Sequence, residues 1–206
     1  MPTPLLYDAN DTNAADETLM RQFALGNAAA FAALYDRHHL AVWRFVLRSV
    51  RDSATADDVT QELWFAVANN AARYEPTAKF RTWLFTMARN RVIDLSRNKK
   101  SQVSIDEEDS EGNAMFSELA AESRLGPLRQ LESREAASDL LRAVEALPSE
   151  QREAFLLQAE ADMSVADIAA ATGVTFETAK SRLRYARNAL KGLLEAHDES
   201  AQRSRA

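Results

Sequence analysis

Cysteine is absent from the 206 residues, and glycine and proline number five each. Without thiols the chain can form no disulfide and no thiolate metal site, which fits a reducing cytoplasm. So few helix breakers, in a chain rich in Ala, Leu, Glu and Arg, favour helix throughout. No apolar run approaches a membrane span, so no membrane insertion is expected, and the N-terminal PTPLLYDANDTNAADE is polar and acidic rather than a signal peptide. Also missing are a glycine-rich phosphate loop, a nucleophile elbow and a His/Glu pair at ligand spacing. These gaps argue against an enzyme, a cofactor or a metal site. His38 and His39 are the residues a hydrolase would have to use, but adjacent residues on a helix diverge and chelate poorly. Positive charge is in the minority, with 25 Lys and Arg against 31 Asp and Glu and a net charge of −6. A protein that coats nucleic acid indiscriminately is thereby excluded. Any such binding must come from local patches and should fade with salt.

One such patch is FRTWLFTMARNRVIDLSRNKK, from Phe80 to Lys100. Phe80, Leu84, Ala88, Val92 and Leu95 recur at three- and four-residue intervals and predict one buried helical stripe. Arg81, Arg89, Arg91 and Arg97 occupy the other faces, with Trp83 and Phe85 off the stripe. From Lys79 to Lys100 there are seven Lys or Arg and a single acid, Asp94. Cations that attract phosphates, interleaved with rings on which bases stack, suit single-stranded nucleic acid. The plainer alternative is a solvated amphipathic helix whose arginine stems cover apolar surface.

The chain divides by composition. Residues 1–15 read as disordered. Asp16 to Leu25 predicts a short helix broken at Gly26, and Asn27 caps a longer one with Phe31, Leu34, Tyr35, Val42, Phe45 and Val46 inward. His38 falls on that stripe beside an exposed His39. Thr55 with Asp58 reads as a capping pair for a third helix. There Val59, Leu63, Ala66 and Val67 face inward, and Asp57, Asp58, Gln61 and Glu62 face out. A loop from Arg73 to Lys79 leads into the basic helix, completing a domain over 16–100. Residues 103–122 hold seven acids and no Lys or Arg, so 101–127 reads as a flexible acidic linker. A second domain over 128–196 starts with a helix ended by Pro148. Ser149 caps the next, which offers Phe155 and Leu156 or Leu157 to the core. Ser164 and Asp167 form a capping pair, Gly173 supplies a tight turn, and Thr175 caps the last helix. Ala179, Leu183, Ala186 and Leu190 point inward there. The outward set is Thr178, Lys180, Ser181, Arg182, Arg184, Tyr185 and Arg187. Two helices about a glycine turn, the second basic outside, read as helix-turn-helix, although an ordinary helical hairpin is the alternative. Residues 197–206 read as a disordered tail. The fold class is all-α, in two small helical domains.

ATADDVTQELWFAV, the basic stretch, and LPSEQREAFLLQAEADMSVADIAAATGVTFETAKSRLRYARNAL together resemble the conserved stretches of bacterial RNA polymerase sigma factors, extracytoplasmic-function (ECF) class. The resemblance implies a promoter-specificity subunit that binds the polymerase core and helps open DNA. It implies docking on the clamp helices of the largest subunit by Asp57, Asp58, Gln61 and Glu62, with the flap as a further core contact. For the −10 element and the melted non-template strand it implies Lys79, Arg81, Trp83, Arg89, Asn90, Arg91, Asp94 and Arg97, with the Arg73–Lys79 loop capturing a flipped base. Trp83 and Phe85 stand where the family has a strand-separating aromatic surface. For the −35 duplex it implies Thr178, Lys180, Ser181, Arg182, Arg184, Tyr185 and Arg187, although Tyr185 stands where a basic residue is common. An anti-sigma factor is a further implied partner. A polymerase-independent helix-turn-helix regulator is the alternative function.

Overall fold

The computed structural model describes residues 14–102 and 138–204, with side chains described over 14–97 and 138–195. Ser101 and Gln102, expected to open the acidic linker, instead extend the last helix of the first domain. The rest of that linker and the first part of the second domain's opening helix lie outside the described residues. The chain divides into two compact units, Met1–Glu107 and Glu108–Ala206, and among the described residues both are built of helices alone.

In the first unit α1 is Asp16–Ala24, α2 is Ala28–Val50, α3 is Ser53–Asn70 and α4 is Phe80–Gln102, with a 3-10 turn at Ala71–Arg73. Gly26, at φ 98°, turns the chain between α1 and α2, and Asn27 Oδ1 accepts from the Ala29 amide at 3.0 Å. The third helix departs from expectation. It opens two residues before Thr55, because Asp52 is its cap and accepts from the Thr55 amide at 2.7 Å. A preceding acid with the right backbone thus outcompetes the Thr55–Asp58 pair.

The core joins Leu34, Val42, Phe45 and Val46 of α2, Val59, Leu63, Trp64 and Val67 of α3, and Phe80, Leu84, Phe85 and Ala88 of α4, all buried. Burying each large side chain contributes about 1.5–3 kcal/mol. Phe85 was expected off the stripe, yet it is wholly buried and meets Phe45 edge-on at 5.5 Å. The reason is that α4 packs against both α2 and α3, so its buried arc is wider than one stripe. Val92 and Leu95, by contrast, are only half-buried. His38 is buried as the stripe implied, with Nε2 2.7 Å from Asp16 Oδ2. His39 is half-buried rather than exposed, stacked on Tyr35 at 4.4 Å.

The second unit contains α5 over residues 138–146, α6 at Ser149–Ala161, α7 at Val165–Thr172 and α8 at Phe176–Ser204. Pro148, not Ser149, holds the cap position of α6. Ser149 lies inside the first turn, and its hydroxyl turns to Glu150 at 3.1 Å. Leu156 and Leu157 are buried while Phe155 is only half-buried. Helix α7 carries the full reciprocal capping box of Ser164 and Asp167 and ends at Gly173 with φ 69°. The inward set of α8, Ala179, Leu183, Ala186 and Leu190, closes this core with Ile168 and Met163. Rather than ending in a tail after residue 196, α8 continues to Ser204. No proline interrupts it, and an ion pair from Lys191 to Glu195 at 3.7 Å spans one turn.

Candidate functional site

Asp57, Asp58, Gln61 and Glu62 are all exposed on α3, at the spacing that puts four residues on one side of a helix. Two are engaged. Trp43 Nε1 donates to Asp57 Oδ1 at 2.7 Å, and Arg91 Nη1 of α4 donates to Glu62 Oε2 at 2.7 Å. Beside this acidic side lies a groove of about 510 Å³ between α2 and α3, lined by Tyr35, His39, Trp43, Asp57, Gln61 and Phe65 among others. Sequence reasoning missed it. The available signal was the row Phe31, Tyr35, His39 and Trp43, a ring every fourth residue beside the core stripe. Burial lowers the pKa of His39, against an opposing pull from Asp57, so the ring stays neutral at physiological pH.

The basic helix presents its residues unequally. Trp83, Asn90, Asp94 and Arg97 recur at intervals of seven, four and three, which places them along one ridge. Asn90, Asp94 and Arg97 are exposed on it, and Trp83 is half-buried against Tyr74 at 5.1 Å and Phe80 at 5.7 Å. Arg81 lies toward the packed side with its Nε buried, and Arg89 is half-buried. Arg91 is tied to Glu62 across to α3. Lys79 is exposed at the helix start, with Arg73, Glu75 and Pro76 exposed in the loop before it. Tyr74 is the loop's inward anchor. Burial, reinforced by Glu17, pushes its hydroxyl pKa up to about 12, so it stays neutral. Of the two rings noted in this stretch, Trp83 alone has a face toward solvent.

On α8 the outward residues fall into two flanks. Thr178, Ser181, Arg182 and Tyr185 share one, and Lys180, Arg184 and Arg187 share the other, as helical spacing requires. Ser181 and Arg182 are half-buried and the rest exposed. The Arg184 guanidinium sits 5.0 Å from the centre of the Tyr185 ring, a cation–π contact. Arg187 donates to Gln158 of α6 at 2.6 Å, and Lys180 lies 3.7 Å from Glu177. The helix is set by its own residues: Thr175 Oγ1 accepts from the Thr178 amide at 3.2 Å.

The family model Sigma-70 region 2 matches residues 34–102, and Sigma-70 region 4 matches 137–190. The ECF RNA polymerase sigma factor SigL of Mycobacterium tuberculosis is 33% identical over 176 residues, covering 84% of this chain and 93% of that protein. This chain belongs to the ECF RNA polymerase sigma factors. It therefore confers promoter recognition on the RNA polymerase core. The sigma factor CnrH of Cupriavidus metallidurans is 28% identical over 90% of this chain and 97% of its own length. A solved structure of CnrH with the cytosolic domain of CnrY superposes with a TM-score of 0.59 at 26% identity, over 89% of this chain and 99% of that one. The sigma factor RpoE of Bartonella quintana, solved with the anti-sigma factor NepR, shares the fold at a TM-score of 0.59 and 24% identity, over 80% of this chain and 96% of that one. Sigma factors are generally non-enzymatic DNA-recognition proteins. Among the described residues no helix is long and apolar enough to cross a membrane.

Proposed function

We propose that this sigma factor divides promoter recognition among three surfaces. The exposed polar face of α3, with the acids Asp57, Asp58 and Glu62 and the amide Gln61, docks on the clamp helices of the core's largest subunit. The ridge of α4, with Trp83 as stacking platform and Lys79, Arg81, Arg89, Asn90, Arg91, Asp94 and Arg97 around it, reads the −10 element and holds the melted non-template strand. The loop Arg73–Lys79 receives a base turned out of the stack. The outward arc of α8 enters the major groove of the −35 element. There Thr178, Ser181, Arg182 and Tyr185 meet base edges, and Lys180, Arg184 and Arg187 meet phosphates.

The observation that carries this reading is the separation of charge by surface. Exposed acids stand on α3 while cations dominate α4 and α8, in a chain whose total is acidic. A good base contact or a stacked base contributes roughly 1–3 kcal/mol, so a few of each offset the unpairing of several base pairs. The second unit also contacts the flap of the core, and residues 1–15, 16–100, 101–127, 128–196 and 197–206 are the functional divisions. An anti-sigma factor restrains the protein when idle. The complex of CnrH with part of CnrY supports that partner by likeness. The setting is cytoplasmic, where polymerase is.

The test is reconstitution with purified core and run-off transcription from a promoter library. Asp57→Lys with Glu62→Lys should cut core association at least about tenfold, since like charges set together cost several kcal/mol. Unchanged co-purification with core would remove the docking surface. Tight, specific duplex binding by the protein without core would remove the dependence on polymerase.

A further inference from the structure

We propose that Glu17, which precedes the family-matched residues, is a positioning residue for the strand-gripping end of α4. The inference rests on the reading of α4 given above. Its basis is a bond between parts of the chain 63 residues apart: the Phe80 amide donates to Glu17 Oε1 at 2.8 Å. That amide opens α4 and is one of the N–H groups a helix cannot satisfy internally. The residue before a helix, when it is Ser, Thr, Asp or Asn, normally caps the second or third amide of the first turn. Here that residue is Lys79, whose side chain has donors only. Its carbonyl shares a peptide bond with the Phe80 nitrogen and accepts from the Trp83 amide at 3.1 Å, so it offers nothing to the Phe80 amide. The acceptor comes from α1 instead, and its negative charge suits the positive end of the α4 dipole.

The adjacent acid reinforces the hold. Asp16 Oδ2 lies 2.7 Å from His38 Nε2, and the His38 ring lies 5.5 Å from the ring of Phe80. Two consecutive acids of α1 thus hold Phe80, one at its backbone and one through His38. Phe80 is fully buried, and its ring contacts both Tyr74 at 6.0 Å and Trp83 at 5.7 Å. Those two rings sit at the loop and first turn that meet the opened strand. Their placement is therefore referred back to α1.

Without the acceptor the first turn of α4 frays, and the strand must order it on binding. Charge alone predicts the reverse, because removing a carboxylate near phosphates strengthens attraction. The two accounts have opposite signs. The experiment uses full-length protein with core, and the probe is the single-stranded non-template −10 segment of a promoter selected by the wild-type holoenzyme. Glu17→Ala should bind it about five- to tenfold more weakly, the effect of losing one cap. Glu17→Gln keeps an acceptor of the same reach without the charge, and should match or exceed wild type. Glu17→Asp keeps the charge but shortens the reach, so it should fall below wild type and holds the test open if Glu17→Ala does not fold. Core association should be unchanged in all three, and amide exchange at Phe80 should quicken in Glu17→Ala and Glu17→Asp alone. Equal or tighter strand binding by Glu17→Ala, or equal losses in Glu17→Gln and Glu17→Ala, would overturn the role. If wild-type holoenzyme holds no single strand, the reading of α4 fails and takes this inference with it.

Discussion

Helix α8 starts where its own sequence tells it to, with Thr175 accepting from the Thr178 amide three residues on, whereas α4 starts at Lys79, which has no acceptor to give, and takes one from Glu17. Both carry the cations expected of a nucleic-acid surface, but they hold them differently. Lys180 of α8 pairs within its own helix, with Glu177, while Arg91 of α4 pairs with Glu62 on another helix. Helix α8, proposed to read duplex, is capped by a near neighbour, although Arg187 also reaches Gln158 of α6. Helix α4, proposed to hold the melted strand, takes its opening acceptor and one ion pair from other helices of its unit. Melted DNA offers no rigid groove to guide a side chain, so rings proposed to receive it need support from behind. An intact major groove supplies its own frame, and one well-formed helix suffices.

The largest expected effect tests the shared core of α4. Phe85→Ala removes a wholly buried ring seated on Phe45 and should destabilise the first unit by about 3–5 kcal/mol, visible as an earlier thermal transition for that unit alone. If both units melt earlier together, the two are not energetically separate. Next come the contacts to DNA. Arg182→Ala should lower promoter-specific transcription by about 1–3 kcal/mol in apparent binding, roughly tenfold, with core association intact. Trp83→Ala should cost a similar amount on single strand only. Equal losses by Trp83→Ala on duplex and single strand would erase the proposed division of labour between α4 and α8.

Thr175→Ala removes the local cap of α8 and should cost about 1 kcal/mol of second-unit stability, read by denaturant titration. No change would mean that α8 depends on packing rather than on its cap. The smallest effect concerns acid. Burial opposes ionisation of Asp16, but hydrogen bonds and charges from His38 and Arg37 outweigh it and hold its carboxyl below the usual carboxylate value. A depressed acid stabilises the fold at neutral pH, and that stability is lost as pH falls through the folded value. Asp16→Asn should therefore flatten the acid limb of first-unit stability, by no more than about 1 kcal/mol, since Asp16 and Arg37 are partly solvated. An unaltered limb would remove the α1–α2 clasp from that account.

The residues differ in how far they could be read before any coordinates. Asn27, the Ser164–Asp167 box, Gly173 and the inward set of α8 were all legible, because each is decided within four residues along the chain. Capping was misread where two candidates competed, as at Asp52 against Thr55 and Pro148 against Ser149. Phe85 was misplaced because periodicity reveals one stripe and not the number of helices that cover it. The aromatic groove of α2 went unread for the related reason that its row of rings runs beside the core stripe.

By itself the sequence determined two helical units, the basic faces of α4 and α8 and the acids of α3, since charge and periodicity are properties of a single segment. Only the tertiary structure decided that Trp83 and not Phe85 has a face left for solvent, that Glu62 holds Arg91, and that α1 caps α4. Those outcomes join residues 29 and 63 positions apart, and no local preference encodes which distant groups the folded core will bring together.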